Sequence, residues 1–213
     1  GQIMENYKYS IAVSGTHGKT TTTSMLSYIL IDADTDPTIS VGGILDSIGG
    51  NIRVGKSEYF VTEACEYTNS YHAFKPFISI ILNVDADHLD FFKDIDEIAE
   101  SFHVFATKTP KEGLVIVNGD MKYYDTVVRD LECRVVTFGK GAQNKYSAHN
   151  IRFDDFGHPT YTLVVDGKEI TDITLKVFGE HNVYNSLSAI AASLELGISI
   201  DVIKQGLSEC VGA

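Results

Sequence analysis

Short apolar runs recur through the first two thirds of the chain: YSIAVS (9–14), PTISV (37–41), EYFVTE (58–63), FISIILNV (77–84), LVIVN (114–118) and CRVVTFG (133–139). Several are apolar at consecutive positions instead of every second one. Such strands bury both faces, as in the interior of a parallel sheet covered by helices. Between them, at about 18–31, 94–107 and 120–130, apolar residues take helical spacing. Strand and helix in alternation predict an α/β fold, a P-loop-type, mostly parallel sheet flanked by helices.

After Tyr146 the period changes. SAHNIRFDDFGHPTYTLVVDGKEITDITLKVFG reads as three strands, with turns at Asp154-Asp155-Phe156-Gly157 and Val165-Asp166-Gly167-Lys168. An Asp-Gly pair suits the left-handed backbone of a tight hairpin, so a small antiparallel three-stranded subsheet is predicted. Helices at about 180–196 and 200–210 follow, with Gly197 closing the first and Asp201 near the start of the second. No repeat, low-complexity tract or long linker divides the chain.

Composition adds limits to this picture. With 44% hydrophobic residues, 11 Tyr and 11 Phe, the chain can bury a core, which excludes intrinsic disorder. Seventeen basic against 29 acidic residues give a net charge of -12. That surface repels phosphate backbones, so no nucleic-acid partner is expected and a phosphate ligand would arrive with a metal. Cys65, Cys133 and Cys210 are far apart and odd in number, which fits a reducing, cytoplasmic setting better than a disulfide framework. The apolar runs are too short to span a bilayer and no signal peptide is visible, so no membrane insertion is expected.

The densest chemistry lies in SGTHGKTTTT, residues 14–23. Gly15-Thr16-His17-Gly18-Lys19-Thr20 follows a buried strand and opens a helix. Backbone N–H groups there can hold anionic oxygens, with Lys19 reaching the phosphates and the Thr20 hydroxyl binding Mg²⁺. A full phosphate loop would place glycine where Val13 stands, so an ordinary strand-to-helix turn is the competing reading. Glu63 and Glu66 end one strand, and Asp85, Asp87, His88 and Asp90 crowd the end of another. Both groups would face the loop as metal ligands, although caps and turns explain most single carboxylates at strand ends. Asn182 and Asn185 are one helical turn apart, and their amides would either read a base edge or simply cap the helix.

GTHGKTTTTSM, VTEACEYTNSY, ILNVDADHLDFF and FGEHNVYNSLSAIAA together resemble the central ATP-binding domain of the Mur ligases, from about Tyr9 to the last residue. In that family the G-T-x-G-K-T form without the first glycine is normal. The resemblance implies that residues 1–213 are an isolated central domain, lacking an N-terminal UDP-sugar domain and a C-terminal domain. That would explain a first strand beginning at Tyr9 and an end at ECVGA without a closing element. It implies ATP-dependent amide formation through an acyl phosphate. Gly15, Thr16, His17, Gly18, Lys19, Thr20 and Thr21 would hold ATP, with His181, Asn182 and Asn185 on the adenine side. Thr20, Glu63 and His88 would bind Mg²⁺, and Lys19, Glu63 and His88 would be the catalytic set. IAESFH (98–103) has no lysine where several branches of the family carry a carbamylated one. That and the wording EACEY fit the branch that joins L-alanine to UDP-N-acetylmuramate. A peptide-recycling branch and a P-loop module without ligase chemistry are the alternatives.

Overall fold

The computed structural model describes residues 2–86 and 91–212. In chain order the elements are β1 (Tyr9–Ser14), α1 (Lys19–Asp32), β2 (Thr38–Leu45), β3 (Gly50–Arg53), β4 (Tyr59–Glu63), β5 (Ile78–Ile81), α2 (Ile95–Ala106), β6 (Leu114–Asn118), α3 (Tyr124–Val128), β7 (Arg134–Phe138), β8 (Tyr146–Phe153), β9 (Pro159–Val165), β10 (Lys168–Thr174), α4 (His181–Glu195) and α5 (Ile200–Glu209). Short 3-10 segments lie at Gln2–Asn6, Asp46–Ile48 and Tyr67–Ala73. All the described strands join one ten-stranded sheet in the order β10-β9-β8-β7-β6-β5-β1-β4-β2-β3. Pairing is parallel from β2 through to β8 and antiparallel at both ends, β2 with β3 and β8 through β10.

The doubly apolar runs are explained by the layers. Along β1, Ile11 and Val13 enter a core shared with α1, α4 and α5, whereas Ala12 enters the opposite core with Phe102 and Phe105 of α2 and with Tyr71. Residues Thr22 to Leu30 of α1 are all buried. Ser24 and Ser27 survive there because each hydroxyl donates to a carbonyl four residues back, Thr20 O and Thr23 O, both at 2.7 Å. The helix packs against α4 and α5 as well as the sheet. At the α5 crossing Gly206 is needed, since a Cβ there would lie 2.7 Å from Ile29 Cα.

The expected antiparallel three-stranded subsheet is present, and β8 joins β7 in parallel through Phe138 and Tyr146, so that it extends the main sheet. Two expectations need correction. The strand read at 77–84 ends at Ile81, because the next residues leave the sheet to line the loop after β1. The helix read at 120–130 shrinks to Tyr124–Val128, since the Asp120 side chain is committed to the loop after β7. The last helix is capped by Ser199, which accepts from Val202 N–H, and Asp201 lies in its first turn as expected. β3 carried no apolar signature, because its residues are half or fully exposed and only pairing with β2 makes it a strand.

One charged cluster ties the layers together. The Glu195 side chain, 11% exposed, accepts from Arg134 Nη2 at 2.6 Å, Lys145 Nζ at 2.8 Å and Tyr146 Oη at 3.1 Å. Burial pushes its carboxyl up, but these three donors together outweigh burial and hold it below the usual value. A lowered carboxyl stabilises the fold above its unfolded value, and that contribution is lost as pH falls through the folded one. Glu195→Gln should therefore cost about 1–2 kcal/mol at neutral pH and flatten the acid limb of a urea-unfolding series. Gly206→Ala should cost about 1–3 kcal/mol at any pH; an unchanged urea midpoint would contradict the close crossing.

Candidate functional site

Because β1 lies between β4 and β5, the loops leaving the carboxyl ends of all three meet at one edge of the sheet. Ser14 still belongs to β1, and Val13 is fully buried in it, in register with Glu63 and Ile80. The position of the absent glycine is thus a strand residue, and the loop proper is only Gly15 to Gly18. Gly15 has φ 144°, and a Cβ there would lie 2.9 Å from Leu82 Cβ. Thr16 N–H donates to Asn83 O at 3.2 Å, and its Oγ1 accepts from Asp85 N–H at 2.9 Å. Asn83 clamps His17 both ways: Oδ1 accepts from His17 N–H at 2.8 Å and Nδ2 donates to His17 O at 2.9 Å.

Gly18 precedes α1 with φ 88° and offers no side-chain cap. A Cβ on it would stand 2.5 Å from Asn185 Oδ1, so glycine is required twice over. The first-turn N–H groups of a 14-residue helix, with no capping side chain, can hold an anion. Residues Thr16 to Thr21 line a hollow of about 310 Å³ at that point.

Two carboxylates flank the helix start with different partners. Glu63 accepts from the Thr20 hydroxyl at 3.2 Å and from Gly42 N–H at 2.6 Å, so two of the three residues expected at a metal lie together. Glu66, 2% exposed, pairs with Lys19 at 3.0 Å. Lys19 Nζ also donates to Gly15 O at 2.6 Å and Thr16 O at 3.4 Å. Hard oxygens of this kind suit Mg²⁺, which keeps waters and phosphate oxygens for its remaining positions. His88, with Asp87 and Asp90, lies outside the described residues. Among the described residues, no group of three His, Cys, Asp or Glu could hold a metal alone.

Beside the loop lies a cleft of about 300 Å³. Leu82 and Phe138 provide its apolar wall, with His17, Gly18, Asn83, Asn118, Asp120, Lys140, His181, Tyr184 and Asn185 around them. His181 and Asn185 are among the lining residues. Asn182 is not among the lining residues: its Nδ2 donates to Phe178 O and its Oδ1 accepts from Asn185 Nδ2, both at 2.8 Å, so it orients Asn185. Lys140 Nζ lies 5.0 Å over the Tyr184 ring and 2.8 Å from Glu180. Hydrogen bonding to Glu180 raises the Lys140 ammonium, and the same contact lowers the carboxyl. Asp120 shapes the loop carrying Lys140, accepting from Lys140 N–H, Gly141 N–H, Gln143 Nε2 and Asn144 Nδ2.

Sequence reading missed Asn83, Asn118, Asp120, Phe138, Lys140 and Tyr184 as cleft residues. A signal was present for three of them: Asn118 and Asp120 in Asn118-Gly119-Asp120, and Lys140 in Gly139-Lys140-Gly141, both at carboxyl ends of buried strands.

Residues 13–193 match the family described as the Mur ligase middle domain. The UDP-N-acetylmuramate–L-alanine ligase of Lachnospira eligens is 56% identical over 213 residues, covering 100% of this chain and 46% of that protein. The ligase of the same name from Agathobacter rectalis is 53% identical, with the same coverage. Among solved structures, the UDP-N-acetylmuramate–alanine ligase of Thermotoga maritima superposes with a TM-score of 0.85 at 28% identity, covering 100% of this chain and 47% of that one. The UDP-N-acetylmuramate:L-alanyl-γ-D-glutamyl-meso-diaminopimelate ligase of a Neisseria species superposes with a TM-score of 0.88 at 27% identity, covering 99% of this chain and 68% of that one. The chain thus spans less than half the length of these curated relatives.

Gly18→Ala should strain the loop and push Asn185 aside. ADP affinity, read by titration calorimetry, is expected to fall at least about tenfold, because the left-handed backbone costs alanine about 1–2 kcal/mol and the displaced amide adds to it. Unchanged affinity would mean that the loop geometry does not govern binding.

Proposed function

The chain belongs to the Mur ligase family, and from that premise we propose that it is the central, ATP-binding part of an enzyme that joins L-alanine to UDP-N-acetylmuramate. The observation that carries the reading is the convergence of Lys19, Thr20 and Glu63 at the start of α1, beside a cleft of nucleoside size. The relatives of the same name, at 56% and 53% identity, support the choice of substrates.

In this reading the N–H groups of the loop and first turn of α1 hold the phosphate chain, and Lys19 balances its charge. Leu82 and Phe138 pack against the base, while His181 and Asn185 present polar groups to it. Thr20 and Glu63, with His88 as the family resemblance adds, would hold Mg²⁺, which when bound would supply charge neutralisation at the phosphoryl group. The sugar's carboxylate oxygen forms a bond to the γ-phosphorus as the bond to ADP breaks. The amine of L-alanine then bonds to the acyl carbon, losing a proton, and inorganic phosphate leaves with the C–O electron pair. The residues here contribute positioning and charge stabilisation to both steps.

The acidic surface gives no support for a nucleic-acid partner, and a cytoplasmic setting suits both the ATP and the free thiols. No helix among the described residues is long and apolar enough to cross a membrane. The TM-score of 0.88 to a peptide-adding ligase supports a second reading, in which a preformed peptide replaces L-alanine.

Phosphate release, measured on a protein of the relatives' full length with ATP and UDP-N-acetylmuramate, separates the two. L-Alanine should raise it well above background and the L-alanyl peptide should not. The reverse result selects the recycling reaction, and no response to either amine overturns the ligase assignment.

A further inference from the structure

We propose that Glu66 is a counter-ion latch on Lys19, holding the loop lysine away from phosphate and drawing it back when ADP leaves. The proposal rests on the reading of the loop as a nucleotide-phosphate site and adds a role for a carboxylate that the ligase chemistry above does not use.

A lysine ammonium has three protons to donate. In this structure Lys19 Nζ meets Gly15 O at 2.6 Å, Thr16 O at 3.4 Å and both Glu66 oxygens, Oε2 at 3.0 Å and Oε1 at 3.4 Å, so all three protons are engaged. A phosphate oxygen must therefore displace one of them. The exchange with Glu66 is charge for charge, anion for anion, and leaves the two carbonyl bonds in place. Its cost is the separation of an ion pair whose carboxylate is 2% exposed, beside an incoming anion. Glu63, three residues earlier, is bonded to neutral donors among the described residues, Thr20 and Gly42. The two carboxylates are thus divided between the helix-start hydroxyl and the lysine.

Glu66 is also held in place by its own segment. It leads into Tyr67–Ala73, where Thr68 and Asn69 both take left-handed backbone, at φ 55° and 56°. Asn69 N–H returns to Glu66 O at 2.9 Å, its side chain accepts from Ser101, and Ser70 Oγ donates to Cys65 O at 3.0 Å. Tyr71 stacks on Phe105 at 4.7 Å between centroids and anchors the far end. A non-glycine pair in this region persists only where its surroundings enforce it. The carboxylate is built into position against Lys19, unlike a mobile surface acid that happens to reach it.

A latch that favours the paired state by about ten to one lowers apparent ligand affinity about tenfold. Glu66→Gln in this chain should then bind ADP about tenfold more tightly, mostly through slower dissociation of a fluorescent ADP analogue. Glu66→Asp, which keeps the charge but shortens its reach, should tighten ADP by about threefold. On a Lys19→Ala background, Glu66→Gln should change nothing. A merely structural role predicts the opposite sign, weaker binding. Equal or weaker ADP binding by either single variant, with the wild-type circular dichroism spectrum, overturns the latch and leaves the nucleotide reading standing. Failure of the wild type and of both variants to bind millimolar ADP would overturn both.

Discussion

The loop between β1 and α1 has almost no room, and that tightness is the constraint on which the site depends. Leu82 and Asn83 press on Gly15 from one side and the Asn185 amide presses on Gly18 from the other. Those contacts come from the ends of β5 and of α4, elements far apart in sequence. The loop is therefore held by the global order of the sheet and by the packing of α4 on α1. A helix start fixed this way presents its N–H groups without further rearrangement, which is what electrostatic preorganisation requires.

Charge is arranged with equal economy. The chain is strongly acidic, yet three carboxylates beside the loop have fixed partners: Glu63 with Thr20 and Gly42, Glu66 with Lys19, Asp120 with the loop that carries Lys140. An anion approaching α1 thus meets satisfied carboxylates and unsatisfied N–H groups, in spite of a net charge of -12. At the half-buried helix start the nearest groups matter more than the total charge, which solvent screens.

Much of this was legible in the residues. Consecutive apolar positions marked β1, β6 and β7, and G-K-T in its strand-to-helix setting located the loop. Glu63 was expected to face the loop from the end of its strand, and its partnership with Thr20 was implied by the family resemblance. Other features had no local signature. β3 exists through pairing alone, and the attachment of β8 to β7 rests on a single register position. The roles of Asn182 and Asn185 differ because only the fold decides which amide faces the cleft and which turns back to Phe178. Val13 looked like a missing loop glycine, and the structure makes it a core strand residue with the loop simply shorter.

The central claim is that the helix start at Gly18–Thr21, closed in by Asn83 and Asn185, is where a nucleotide's phosphates sit. Amide NMR of the chain during ADP addition tests it most directly. The account expects the largest shifts at the backbone N–H groups of Thr16 to Thr21 and at the side-chain amides of Asn83 and Asn185, with β8 to β10 unmoved. Shifts confined to the antiparallel end of the sheet, with the loop amides unchanged at saturating ADP, would contradict it.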